Sequence, residues 1–218
     1  MIECKKVAIE QGNFRLSGID FRIDEGEYAV LMGQTGSGKT TIVEAICGLR
    51  PIKSGSILLD QREISKLKPA EREIGYVPQD GALFSTMNVA QNLGFGLKIR
   101  KWPKSDRDKR IEELADLLGI VHLVNRKTEG LSGGEQQRVA LGRALSFYPR
   151  IICLDEPLSA LDEKTKEEMY QLLLKLKSEL NITALHISHS TSEAVKLADK
   201  VLVIDGGVLK VERADNIK

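Results

Sequence analysis

The sequence predicts an α/β fold built on a mostly parallel, covered sheet, and two patterns carry that prediction. Continuous apolar runs of strand length alternate with amphipathic helical stretches, and the first such helix follows a glycine-rich segment at the end of a strand. Strands covered on both faces read as unbroken apolar runs, because neither face meets water. At 218 residues and 42% apolar content the chain can bury a large core without disulfides or metal.

In chain order, "IDFRIDEGEYAVLM" alternates and then runs apolar, which predicts a strand, a turn at Glu25 to Glu27, and a second strand ending at Met32. "TTIVEAICGL" supplies the helix beyond the glycine-rich segment. From Gln79 to Leu131 the character changes. "NVAQNLGFGLKIR" and "KRIEELADLLG" have helical spacing, many charges and no convincing strand, so a helical lobe inserted in the α/β core is expected. "RIICL", ending at Leu154, and "ITALHIS", ending at Ser188, predict buried parallel strands. Between them Met169, Leu172, Leu173, Leu176 and Leu180 recur at helical spacing and predict a helix packed on the sheet. "KVLVIDGGVLKV" predicts a hairpin turning on Asp205, Gly206 and Gly207.

Charge excludes one broad class. The 32 basic and 31 acidic residues leave a formal charge of +1, so no global attraction to nucleic acid or acidic lipid is expected. The basic stretch "KIRKWPKSDRDKR" is broken by Asp106 and Asp108 and reads as a solvated helix surface. Cys4, Cys47 and Cys153 lie far apart, two of them in apolar runs, and read as reduced core thiols of a cytosolic protein. No run approaches the roughly 20 apolar residues that cross a bilayer. If the protein serves a membrane, another chain does the crossing.

"GQTGSGKT", Gly33 to Thr40, fits G-x-x-x-x-G-K-[ST] between a predicted strand and a helix. Gly33, Gly36 and Gly38 let the backbone curl so that N–H groups along Gln34, Thr35 and Ser37 face a β-phosphate, and the following helix adds its positive end. Lys39 is expected to reach the β- and γ-phosphates, Thr40 to offer its hydroxyl to Mg²⁺, and Thr41 to join the phosphate-binding set.

"IICLDEP" places Asp155 and Glu156 just past an apolar strand, where open α/β sheets bind ligands. Asp155 suits a water-mediated Mg²⁺ contact, and Glu156 suits orientation or deprotonation of an attacking water. An isolated acidic pair there is as often a helix cap. His189 follows the strand "TALHIS" and suits a γ-phosphate contact that also holds the glutamate and water, whereas His122 and His186 read as structural. Gln79, after Pro78, could touch Mg²⁺ or the water, or be an ordinary loop residue. "LSGGEQQRVALGRAL" has the layout of a second anion site, and Ser132 with Glu135 also spells a capping box.

Taken in order, the phosphate loop, Gln79, "LSGGE", "IICLDEP", "SALD" and His189 resemble the nucleotide-binding subunit of ATP-binding cassette (ABC) transporters, over nearly the whole chain. The resemblance implies a P-loop NTPase core, an antiparallel β subdomain and a helical subdomain inserted at about residues 80–145. It implies a single domain over 1–218, without the C-terminal regulatory domain that many relatives carry. ATP and Mg²⁺ are the implied cofactors, with Glu156, His189 and Gln79 catalytic and Thr40, Gln79 and Asp155 around the metal.

Two copies are implied to pair head to tail as a homodimer. Each ATP then lies between the phosphate loop of one copy and Ser132, Gly133, Gly134 and Glu135 of the other, with Asp162 at the seam. Other implied partners are transmembrane permease subunits, docking in a groove lined by Asp80 to Phe84 and the helices that follow, and a solute-binding protein; nucleic acid is not one. Leu83 and Phe84 could equally be core. The implied location is the cytoplasmic face of the membrane.

"YVPQDGALFSTMNVAQNLGFGLK" and "DEPLSALD" look most like importer ATPases for molybdate, tungstate, sulfate and similar solutes. A non-transport ABC ATPase or another transporter class is the alternative. The chain departs from the family in two places. Gln11 stands where an aromatic usually stacks on adenine, which leaves Phe14 as stacking candidate or core residue, and Ser190 follows the histidine where an acid is common.

Overall fold

The computed structural model describes residues 1–213 apart from Asn13. Among these residues ten strands form two sheets. β1 (Ile2–Gln11) and β2 (Phe14–Ile23) make a hairpin that continues through β4 (Ser54–Leu59) and β5 (Arg62–Glu63) as an antiparallel sheet of order β2-β1-β4-β5. β3 (Tyr28–Gly33), β6 (Ile74–Val77), β7 (Ile151–Asp155), β8 (Thr183–Ile187), β9 (Lys200–Asp205) and β10 (Val208–Arg213) form the second, of order β10-β9-β3-β8-β7-β6. Among the described residues only β10 runs antiparallel to its neighbour in that sheet.

Strand alternation sorts the second sheet's side chains into two cores. Ala29, Leu31, Cys153, Leu185 and Ile187 face α1 (Lys39–Cys47) and the antiparallel sheet. Tyr28, Val30, Ile152, Leu154 and Ala184 face α4 (Gly133–Leu145), α5 (Glu163–Leu180) and α6 (Thr191–Leu197). Because β3, β7 and β8 are covered on both sides, their sequences carry no polar alternation. The turn at Glu25 to Glu27 is where predicted, with Gly26 at φ +73°, and it carries the chain from one sheet into the centre of the other.

Between β6 and β7 lie α2 (Val89–Ile99), α3 (Lys104–Leu117) and α4, and among the described residues no strand interrupts them. One isolated bridge pairs Asn88 with Lys127. The buried Arg72 closes the far end of α1: its guanidinium donates to Ala45 O (2.7 Å) and Ile46 O (2.9 Å), and to Ser65 O (2.8 Å) and Leu67 O (2.9 Å). Carbonyls at a helix end lack intrahelical donors, and a cation there satisfies both their hydrogen bonds and the helix dipole.

Three expectations need adjustment. Leu180, the last residue of α5, is 41% exposed and is not part of the buried stripe of Met169, Leu172, Leu173 and Leu176. β7 extends one residue further, to Asp155, and β8 stops at Ile187, so Ser188 already belongs to the loop. The final hairpin turns on Gly206 and Gly207, at φ +55° and +81°, as two-residue hairpin turns require. Cys4, Cys47 and Cys153 are buried free thiols. Among the described residues no helix is long and apolar enough to cross a membrane.

Candidate active site

The C-terminal ends of β3, β7 and β8 are adjacent in the sheet, and each delivers part of one cleft. β3 ends in Gly33, whose φ of +153° and crowded surroundings tie it to glycine: a Cβ would lie 2.7 Å from Ile204 O. The loop then curls through Gly36 and Gly38, at φ +80° and +98°, into α1. No side chain caps the N-terminus of α1, so its first-turn N–H groups stay free to bind an anion. Within the loop Ser37 Oγ is buried without a protein partner. The uncapped donors of α1 fit a phosphate group, whereas Ser37, like Gly33 and Gln34, does not line the cleft.

A cleft of about 490 Å³ opens over this loop, and Thr35, Gly36, Gly38, Lys39, Thr40 and Thr41 line it. Gln79, Glu156 and His189 close its other side. Lys39 Nζ is held by Gly33 O (2.9 Å) and Gln34 O (3.0 Å), which places the ammonium along the loop. Burial lowers the Lys39 pKa, against the opposing pull of Glu156 and Asp155. Thr40 donates to Asp155 Oδ1 at 3.2 Å. Burial raises the Asp155 pKa, with Glu156 and Glu44 adding to it and Thr40 and Lys39 opposing. A divalent cation beside Thr40 and Asp155 would relieve the cost of that buried charge, so the donor set fits Mg²⁺.

Glu156 sits at φ +47°, a left-handed conformation rare for a residue with a side chain. Its N–H donates to Ile187 O at 3.1 Å, which holds the chain as it leaves β7. The turn aims the carboxylate sideways: Oε1 lies 2.5 Å from His189 Nε2, and Oε2 accepts from Gln79 Nε2 at 3.3 Å. Three residues far apart in sequence thus meet at one carboxylate.

Phe14 belongs to the core packing and also borders the cleft. Its half-buried ring packs on the core beside Gly38, where an added Cβ would lie 2.7 Å from Cζ, and it also lines the cleft with Gln11. Ser190 N-caps α6, its Oγ accepting from Glu193 N at 3.4 Å, so serine serves as the cap that an acid would provide.

Ser132, Gly133, Gly134, Glu135 and Asp162 do not line the cleft of their own chain. Ser132 caps α4 through the expected box: Oγ accepts from Glu135 N (3.3 Å) and the Ser132 N–H donates to Glu135 Oε2 (2.7 Å). Asp162 caps α5, accepting from Thr165 N (3.1 Å) and Thr165 Oγ1 (2.6 Å). Those bonds hold its carboxyl below the usual range.

The packing of its own chain requires glycine at 134. A Cβ there would lie 2.5 Å from Thr165 Cγ2 of the same chain, whereas one on Gly133 would make an ordinary 3.4 Å contact with Leu161. Asp80 to Phe84 lead into α2, and two of them pack on neighbouring side chains. Leu83 packs into the core and the Phe84 ring rests 4.4 Å from that of Phe95. A groove of about 600 Å³ lies between α2 and α3, begins at Thr86 and includes Met87, Phe95, Ile99 and Ile111.

Residues 16–159 match the family model described as ABC transporter. The chain is 43% identical over 196 residues to the molybdate/tungstate import ATP-binding protein WtpC of Thermococcus kodakarensis, covering 90% of this chain and 59% of that protein. It is also 43% identical over 193 residues to the sn-glycerol-3-phosphate import ATP-binding protein UgpC of Bordetella avium, covering 88% of this chain and 54% of that one. The chain therefore spans less than two thirds of the length of these relatives. Among solved structures, the dimeric post-hydrolysis state of the ATP-binding cassette MJ0796 bound to ADP and Pi superposes with a TM-score of 0.85 at 30% identity, over 98% of this chain and 99% of that one. With that family model matched over 16–159 and the cassette fold in common, the chain belongs to the ABC transporter family.

Proposed function

We propose that the chain binds ATP with Mg²⁺ and hydrolyses it as the energising subunit of an importer, two copies closing head to tail around the nucleotides. The single observation that carries this reading is the Glu156 carboxylate, which meets both His189 and Gln79 at the mouth of the phosphate-loop cleft. Glu156 takes the proton of the attacking water. His189 and Gln79 each hold one carboxylate oxygen, which keeps the base from swinging toward solvent. Lys39 and the α1 N-terminus bind phosphate oxygens; Thr40, Asp155 and Gln79 would hold Mg²⁺, which neutralises charge on the phosphates.

Support for the second copy comes from Ser132, Gly133 and Glu135, which lie on the surface or partly exposed at the start of α4, outside their own cleft. The similar cassette MJ0796 is dimeric. The groove between α2 and α3 suits an apolar helix end from a permease, which would hold the protein peripherally at the cytoplasmic face of the membrane. We take residues 1–218 as one cassette, with about 80–145 as its helical lobe. Among solutes we favour molybdate, tungstate or sulfate, from "YVPQDGALFSTMNVAQNLGFGLK", "DEPLSALD" and the likeness to WtpC. A relative named for sn-glycerol-3-phosphate is equally identical, and solute-stimulated turnover in a reconstituted transporter would discriminate.

In the test of hydrolysis, Glu156→Gln loses about 10²-fold or more in turnover while retaining ATP binding. With ATP and Mg²⁺ it elutes from size exclusion as a dimer. A strictly monomeric variant with normal turnover would overturn both the base and the dimer.

A further inference from the structure

A buried chain of polar groups runs from the core to the loop that carries His189, and no contact with the phosphate-loop cleft accounts for it. Tyr28 Oη lies 2.9 Å from His186 Nδ1, and His186 Nε2 lies 3.3 Å from Glu193 Oε2. Tyr28, His186 and Glu193 are 1%, 0% and 6% exposed. The Tyr28 hydroxyl and Nδ1 share one hydrogen bond, and Nε2 is the imidazole nitrogen nearest the carboxylate. That nitrogen has no aligned hydrogen-bond acceptor, so its attraction to Glu193 is electrostatic at close range. Burial raises the Glu193 pKa, but His186, Ser188 and Lys166 together outweigh it and keep the carboxyl below its ordinary range. An ionised carboxylate inside the protein is costly without such partners.

Its location gives the chain a use. Glu193 belongs to α6, which begins just after His189, and its carboxylate borders the same small cleft as Ser188, His189 and Glu156. Ser188, 2% exposed, accepts the Ser190 N–H at 2.9 Å. The carboxylate thus sits beside the residue before His189 and is carried by the helix after it. Both ends of the short link bearing the imidazole are pinned from below.

We propose that Glu193, oriented by His186 and Tyr28, is a positioning residue for His189, fixing the imidazole against Glu156. This rests on the ATPase reading above. Glu193→Gln keeps shape and removes charge. It should lower kcat about tenfold with KM for ATP within about twofold, the pattern of a misplaced catalytic group. Tyr28→Phe should give a smaller loss of the same kind.

The deciding measurement is a double-mutant cycle with His189→Ala, since a residue that acts through His189 has nothing left to position. Glu193→Gln or Tyr28→Phe should then cost no further turnover. A merely structural residue would lower turnover in both backgrounds by the same factor, and that result overturns the assignment. So does a folded Glu193→Gln with unchanged kcat. If that variant does not fold, the Tyr28→Phe cycle decides by the same criterion. A wild-type chain with no turnover would overturn the ATPase reading and this assignment with it, whereas an active wild type with multiplicative variants overturns the assignment alone.

Discussion

A Cβ on Gly134 would stand 2.5 Å from Thr165 Cγ2, so the second glycine of "LSGGE" is required by its own chain. Thr165 cannot turn away easily, because its hydroxyl is bonded to Asp162 Oδ2 at 2.6 Å. The start of α4 and the start of α5 are locked together at this contact.

Two effects compete in Gly134→Ala. Helix propensity favours alanine by about 1 kcal/mol, while overpacking costs roughly 1–3 kcal/mol. We expect a net loss of about 1 kcal/mol in denaturant unfolding. Thr165→Ser, which removes Cγ2, should convert that loss into a neutral or stabilising change. Gly133→Ala should leave stability unimpaired, since its nearest contact is ordinary.

Capping and phosphate binding separate at Ser132. Aspartate caps a helix as well as serine, so Ser132→Asp should keep the unfolding free energy within about 0.5 kcal/mol. Its charge would face the γ-phosphate of a partner's nucleotide, so ATP turnover and ATP-dependent dimerisation should be lost. A variant with normal turnover would mean that Ser132 only caps.

Asp155 is a site where ionisation costs stability. Its folded pKa is raised, chiefly by burial, so the folded state binds its proton more tightly than the unfolded chain does. The stability so contributed is full below the ordinary carboxylate range and is lost as pH rises through the folded value. Asp155→Asn should therefore raise the melting temperature at pH 7, with the gain shrinking toward pH 4. Mg²⁺-dependent turnover should collapse in the same variant.

The base end of the cleft is thinly furnished. Gln11 and Phe14 are directly paired across β1 and β2 and so share a face, but the Phe14 ring is committed to Gly38. Gln11→Trp should tighten ATP binding at least fivefold, as about 1 kcal/mol or more of stacking implies, in a fluorescence titration. Tightening of tripolyphosphate by the same factor would argue against a stacking origin.

Much of this was legible because it is local. A phosphate loop is contiguous in sequence, its flanking strand and helix are its immediate neighbours, and period-two and 3.6 patterns report burial directly, as for Met169 through Leu176. The ordered motifs therefore determined the fold class, the phosphate loop and the identity of the acidic pair. Only the tertiary structure decided which residues meet. Gln79 and Glu156 lie 77 positions apart, and the parallel alignment of β7 and β8 brings His189 to the same carboxylate. The left-handed turn at Glu156, the Thr165 contact of Gly134, the solvent exposure of Leu180 and the buried link from Tyr28 to Glu193 all depend on neighbours distant in the chain. Composition and spacing encode each residue's own preference, whereas such contacts depend on the relative placement of whole elements.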